Sequence, residues 1–87
     1  MEAQTCAHFC ELQMAVCTFG AAAPAQYASM AACMTACATF PMGTAADAGG
    51  NTLGCRIYHT CNAASNPPAS TTTHCPHTSM SGGGVCG

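Results

Sequence analysis

Apolar residues at the start of the chain recur at the spacing of an α-helix. Sulfur-containing side chains fall at i, i+4, i+8 and i+11, namely Cys6, Cys10, Met14 and Cys17. This spacing places them along one face of a helix with 3.6 residues per turn. We predict a helix that begins at Thr5, a favourable N-cap, and runs to about Thr18. The pair Phe19-Gly20 ends it, because glycine commonly follows a helix C-terminus.

A second helical pattern runs from about Ala25 to Ala38, and Phe40-Pro41 stops it. Its apolar face carries aromatic and sulfur-containing side chains, namely Tyr27, Met30, Cys33, Met34 and Cys37. Because Met14, Met30 and Met34 share faces with the cysteines, an alternative interpretation is a Cys/Met-lined bundle that stores a soft metal such as Cu(I). A methionine stripe at helical spacing is more often part of a core.

Each of these two helices has a pair of cysteines one turn apart, which suits an antiparallel hairpin with two cross-links. In an antiparallel hairpin the start of the first helix lies beside the end of the second, so the first cysteine of one pair faces the last cysteine of the other. We therefore predict the disulfides Cys6–Cys37 and Cys10–Cys33. Each one stabilises the fold by constraining the unfolded chain.

A third helix follows a Gly/Ala loop, with Asn51 or Thr52 as its cap and its end near Ala64. On this helix Cys55 and His59 are four residues apart and therefore adjacent on the surface. The run Asn66-Pro67-Pro68 ends the helix.

The rest of the chain is less regular. Residues 69–74 fit either a short helix or an extended threonine run, and residues 81–87 indicate a flexible tail pinned by Cys86. The chain has 87 residues, and much of its 49% hydrophobic fraction is alanine, so it buries little large apolar area and needs cross-links. We expect residues 1–87 to form a single domain of the small all-α, disulfide-rich class: a helical hairpin, a third helix packed on it and an irregular C-terminal segment.

The composition indicates the compartment and the partners. Nine cysteines in 87 residues, without a Cys-x-x-Cys pair, favour a disulfide scaffold in an extracytoplasmic location, whether secreted, periplasmic or at the cell surface. The N-terminus has no features of a secretory signal, and no run of 18 apolar residues predicts a membrane span. A single cationic side chain, Arg56, excludes nucleic acid as a partner. With 5% charged residues, the surface favours self-association or binding to another extracellular protein.

Candidate ligands are concentrated between residues 55 and 77. A c-type haem is usually attached through Cys-x-x-Cys-His. Here Cys55 and His59 have the outer spacing of that motif, and Tyr58 stands in place of the second cysteine. A haem with one thioether is therefore a candidate cofactor. The predicted cofactor-binding residues are Cys55, His59, His74, Cys75 and His77.

The three histidines of this stretch also permit a plain metal site. His59, His74 and His77 would supply three nitrogen ligands for Cu or Zn. The carboxylates that a hydrolytic metal site normally uses are distant in sequence, at Glu2, Glu11 and Asp47. We therefore predict no enzymatic activity. The fourth histidine, His8, is expected to be an ordinary residue of the first helix.

An odd number of cysteines means that at least one is not in an intramolecular disulfide, and Cys55 and Cys61 are the candidates. A thioether to haem at Cys55 explains the odd number as well as an intermolecular bridge through Cys61 does. If neither a haem nor a metal binds, Cys55 and Cys75 are ordinary disulfide partners.

The Cys-x3-Cys hairpin, followed by GNTLGCRIYH, HCPH and GGGVCG, resembles cysteine-rich modules of uncharacterised secreted bacterial proteins. That resemblance covers nearly the whole chain and implies an extracellular location. Residues 50–59 are also similar to the haem-attachment segment of c-type cytochromes.

Two functional interpretations follow. The first is a secreted haem- or metal-binding redox module for electron transfer, which self-assembles and uses His59 with His77 or His74 as ligands. The second is a structural or interaction module of a surface or secreted protein, held by disulfides without a cofactor. An ice- or surface-binding function would suit the Ala/Thr/Gly bias, but the chain lacks a regular Thr-x-Thr repeat.

Overall fold

The computed structural model describes residues 4–18, 20–44 and 46–87. Four α-helices lie in these ranges: α1 (Cys6–Val16), α2 (Met30–Cys37), α3 (Leu53–Ala63) and α4 (Ala69–His74). Three 3-10 helices accompany them, at Gly20–Ala22, Cys75–Thr78 and Gly82–Gly84. The described ranges contain no strand, which confirms the small all-α class. None of the described helices is long and apolar enough to cross a membrane.

Hydroxyl side chains cap the first three α-helices. The Thr5 side chain accepts a hydrogen bond from the backbone N–H of His8, and Thr52 does the same for Cys55. Both caps agree with the prediction. Helix α2 starts later than predicted because Ser29 caps it, accepting from the N–H of Ala32. Phe19, predicted to help end α1, lies outside the described residues.

Tyr27 was expected on α2 but precedes it and serves as an anchor. Its hydroxyl donates to the carbonyl oxygen of Thr78 at 2.7 Å, and its ring meets Phe9 edge to face with centroids 5.9 Å apart. Burial raises the pKa of Tyr27 to about 12. These contacts tie the α1–α2 connection to the C-terminal segment. The main core is built from α1, Tyr27, α2 and α3, through Phe9, Cys10, Tyr27, Cys33, Ala36, Cys37, Leu53 and Ile57.

The two predicted hairpin disulfides are confirmed. Cys6 bonds to Cys37 and Cys10 bonds to Cys33, with Cα–Cα distances of 5.7 and 5.8 Å. These bonds require α1 and α2 to run antiparallel. The partly buried Cys61 of α3 belongs to none of the four disulfides.

Two further disulfides attach the C-terminal segment to the helices. Cys17, just after α1, bonds to Cys75, and Cys55 of α3 bonds to Cys86. The predicted anchor at Cys86 is confirmed, but the tail is packed on the protein rather than free: Cys86 is fully buried, and the Val85 carbonyl accepts from the N–H of Gly50 at 2.9 Å. Three consecutive glycines with φ of 78°, 54° and 84°, a conformation that other residues rarely adopt, turn this segment back toward α3.

The side chain of Arg56 in α3 also holds the C-terminal segment, through hydrogen bonds to its backbone. Its guanidinium is fully buried and lies 3.7 Å from the centroid of the Phe40 ring. Burial lowers the pKa of Arg56, and the nearby Tyr27 partly opposes that shift. Its nitrogens donate, at 2.9–3.0 Å, to three backbone carbonyls and one side-chain amide oxygen: those of Thr52, Ser79, Met80 and Asn51.

Candidate metal site

Three histidines from two parts of the chain meet beside α3. His59 lies within α3, His74 is the last residue of α4, and His77 lies in the 3-10 helix that continues from α4. Side chains three residues apart nearly eclipse in a 3-10 turn, so His74 and His77 point the same way. The intervening Cys75 is fully buried and faces α1 through its disulfide with Cys17.

The ring nitrogens of these histidines converge. One nitrogen from each of His59, His74 and His77 lies within 4.8 Å of the other two. The Nδ1 atoms of His59 and His74 are 3.2 Å apart, and their rings stack with centroids 5.4 Å apart. The His77 ring stands edge-on to both, at 5.1 and 5.7 Å. Of the residues predicted as metal ligands, the fold thus brings all three together.

A backbone carbonyl fixes the protonation pattern of His59. Nε2 of His59 lies 2.8 Å from the carbonyl oxygen of Ala48. Because a carbonyl only accepts, Nε2 carries the proton. In the neutral ring Nδ1 then has a lone pair, which accepts from Nδ1–H of His74 in this structure and could bind a metal in its place. Metal-binding histidines are commonly oriented in this way by a partner at their second nitrogen. Nothing in the sequence indicates that Ala48 has this role.

His77 contributes a buried nitrogen that the protein does not satisfy. Its Nδ1 has no hydrogen-bond partner in the described part of the chain. Burial lowers the pKa of His77, and the neighbouring His59 and His74 lower it further. The neutral imidazole, which is the form that binds metals, is therefore favoured. A buried polar atom without a partner requires an explanation, and a metal ion would provide one.

The loop before α3 is held by Asp47. Its carboxylate accepts hydrogen bonds from the backbone N–H and the hydroxyl of Thr44, at 3.0 and 2.8 Å, and from the hydroxyl of Thr52 at 2.9 Å. The bonds from Thr44, followed by that from Thr52, lower the pKa of Asp47. Asp47, which directly precedes Ala48, thereby links Thr44 to Thr52, the N-cap of α3.

The structure corrects the predicted role of the cysteines. Cys55 and Cys75, named as cofactor-binding residues, are both fully buried in disulfides, with Cys86 and Cys17. The sulfur atoms of Cys55 and Cys86 do lie within 4.8 Å of a His59 nitrogen. Since they are bonded to each other, they present no thiolate to a metal and no thiol to a haem vinyl group.

The remaining ionisable residues lie elsewhere. His8 is in α1, as predicted, and its backbone N–H takes part in the cap. Neither Glu11 nor Asp47 joins a group of potential ligands among the described residues. The potential ligands of this cluster are therefore the ring nitrogens of three histidines.

Comparison with known proteins gives a family and no activity. No curated protein and no solved structure matches the chain. The family model of the BfoA family C-terminal domain matches residues 1–87. Because this match covers the whole sequence, the chain belongs to the BfoA family C-terminal domain.

Proposed function

We propose that this protein is a metal-binding module in which a disulfide-bonded helical scaffold holds one divalent ion through His59, His74 and His77. The ion is of the class that prefers imidazole ligands, Zn²⁺ or Cu²⁺. The four disulfides are typical of an oxidising environment, and we propose a secreted or otherwise extracytoplasmic location.

One observation carries the proposal: three histidine nitrogens converge within 4.8 Å of one another. At a Zn–N distance of about 2.05 Å, two ligands of a tetrahedral site are about 3.3 Å apart. The 3.2 Å between the Nδ1 atoms of His59 and His74 is close to that value. The Ala48 carbonyl and the unsatisfied Nδ1 of His77 support the same interpretation.

A bare ion suits the cluster better than haem. The three rings contact one another, with centroids 5.1–5.7 Å apart, which leaves no gap between them for a planar macrocycle. The Cys55–Cys86 disulfide also removes the proposed thioether anchor. Electron transfer then requires copper as the ion, since zinc has no redox chemistry. Self-association of the nearly uncharged module would bring such ions near one another.

The experiment is a calorimetric titration of the chelator-treated protein with Zn²⁺ and, separately, with Cu²⁺. We expect one ion per chain, and we expect His59→Ala and His74→Ala each to abolish tight binding. The matched control is His8→Ala, which removes a histidine outside the cluster and should bind as the unchanged protein does. Circular dichroism confirms that each variant is folded. Folded protein that binds neither ion would refute the proposal.

The second candidate is a structural module without a cofactor. Two features of the fold favour it. Four disulfides and the hydrogen bonds of the buried Arg56 stabilise the fold, and neither requires an ion. In that case the histidine cluster is a packed group, and the titration gives no heat of binding. Replacing His74 would then change neither metal content nor partner binding.

A further inference from the structure

The proposed ligand set is incomplete for a closed metal site. The cluster supplies three nitrogens, and no aspartate, glutamate or further cysteine of the described residues joins it. Structural zinc sites are usually closed by four protein ligands, whereas three protein ligands leave one position open. An ion bound by His59, His74 and His77 would therefore have room for a ligand that none of these described side chains provides.

Two of the three histidines reach the solvent. His59 is buried, with 8% of its surface exposed, and its Nε2 contacts the Ala48 carbonyl. His74 and His77 are only partly buried. The open position would therefore face the side of the cluster on which His74 and His77 reach the solvent.

The charge balance indicates the kind of ligand. Three neutral imidazoles leave the full charge of a divalent ion uncompensated, which favours an anion in the open position. The chain has one arginine and no lysine. That arginine, Arg56, is fully buried, and its donors are directed to protein oxygens. Without the ion, the surface therefore offers an anion no lysine or arginine to bind.

We infer that the metal-loaded protein binds a small carboxylate or a similar anion through one donor atom at the open position of the ion. This inference rests on the proposed function, because the metal is the anion-binding group. The protein would then be a receptor for a small carboxylate that binds only after the metal has bound. The anion binds only when the ion is present.

The test uses the Co²⁺-loaded protein, since Co²⁺ has a partly filled d shell and its visible absorption reports the ligands around it. Azide is the probe, and acetate is the competitor. Ionic strength is held constant with perchlorate, which coordinates metals poorly. We expect a saturable spectral change with azide, a weaker apparent azide affinity when acetate is present, and no azide binding by the metal-free protein. The His8→Ala protein should respond as the unchanged protein does.

The outcomes separate the inference from the proposed function. Co²⁺ that binds with a spectrum unaffected by azide would overturn the open position and leave the metal module standing. Azide that binds but is not displaced by acetate would overturn the carboxylate assignment. Azide binding by the metal-free protein would show that the ion is not the anion receptor. Failure to bind Co²⁺, Zn²⁺ and Cu²⁺ would overturn both proposals.

Discussion

The carbonyl oxygen of Ala48 accepts a hydrogen bond from Nε2 of His59 at 2.8 Å, and this contact decides which nitrogen of His59 faces the other histidines. The carbonyl is positioned by a loop rather than by a helix or strand. The adjacent Asp47 holds that loop through its bonds to Thr44 and Thr52. Asp47 is therefore a positioning residue for the proposed site, although it does not touch the cluster's histidines.

The first prediction concerns Asp47→Asn. The amide keeps the size of the carboxylate but loses one of its two acceptor oxygens, so the loop and the Ala48 carbonyl become less fixed. We expect zinc affinity to fall several-fold, up to about tenfold, because partners of a ligand histidine typically contribute 10–100-fold when they contact it directly. Titration calorimetry measures this loss. Glu11→Gln, the same chemical change at an exposed position of α1, is the control and should leave affinity unchanged. Equal affinities for the two variants would contradict the positioning role.

The second prediction concerns acid. Hydrogen bonds from Thr44 and Thr52 hold the pKa of Asp47 below its ordinary value of 3.8, so the unfolded chain binds this proton more readily than the folded protein does. The contribution of Asp47 to stability is present above pH 3.8 and is lost as the pH falls through the lowered pKa. Thermal unfolding of the metal-free protein between pH 2 and pH 6 should show this loss. In Asp47→Asn the low-pH decline should be shallower, and an unchanged decline would show that other groups cause it.

Local pattern was enough to predict the helical hairpin. The Cys-x3-Cys spacing in α1 and α2 makes two cross-links compatible with only one antiparallel register, and both predicted disulfides form. The hydroxyl caps Thr5 and Thr52 could also be predicted, because each cap accepts from a backbone N–H only three residues later in the chain. The later start of α2 was missed although serine is a favoured N-cap residue, because the helical spacing of apolar residues extends back to Tyr27. The contact of Tyr27 with Thr78, 51 residues away, shows that tertiary packing holds the segment before Ser29.

The sequence predicted which histidines form the site but not the long-range contacts that hold it in place. The three histidines were chosen because imidazoles were concentrated in one stretch, and the fold does bring them together. The partners of Cys55 and Cys75 lie 31 and 58 residues away in segments without a matching spacing, so no local rule identifies them. The roles of Ala48 and Arg56 depend on backbone oxygens, and an amino-acid sequence gives no signal for where those oxygens point.

The third prediction concerns Arg56→Lys. The lysine retains the charge but has a compact ammonium with three donors, and it cannot reproduce the planar guanidinium that reaches four oxygens over the Phe40 ring. At least one buried acceptor then loses its partner. We expect the free energy of unfolding to fall by about 2–4 kcal/mol. Denaturant titration measures the change, with Glu11→Gln as the surface control. A loss below about 0.5 kcal/mol, which is typical of surface substitutions, would show that Arg56 does not hold the C-terminal segment.

The fourth prediction concerns stabilisation by metal. An ion that binds the folded site and not the unfolded chain adds stability in proportion to the logarithm of its concentration. At a free Zn²⁺ concentration 100-fold above the dissociation constant, the gain is about 2.7 kcal/mol. Thermal unfolding with and without chelator should show this gain in the unchanged protein and in His8→Ala. His77→Ala should lose most of it while keeping the stability of the metal-free form within about 1 kcal/mol. A gain that persists in His77→Ala would exclude His77 as a ligand.

The fifth prediction compares two disulfides. Cys17–Cys75 closes a loop with a sequence separation of 58, and Cys10–Cys33 closes one of 23. The chain-entropy relation gives a loss of about 4 kcal/mol when the first pair is replaced by serine and at most about 3.5 kcal/mol for the second, whose loop Cys6–Cys37 still constrains, so both variants should be destabilised. Their effects on metal binding should differ. Cys75 lies between His74 and His77, and its bond to Cys17 fixes their turn against α1, whereas Cys10–Cys33 joins only α1 and α2.

At a temperature where both variants are folded, we expect zinc affinity to fall strongly in Cys17→Ser/Cys75→Ser and to be retained in Cys10→Ser/Cys33→Ser. Equal losses would mean that affinity follows global stability rather than the position of this turn.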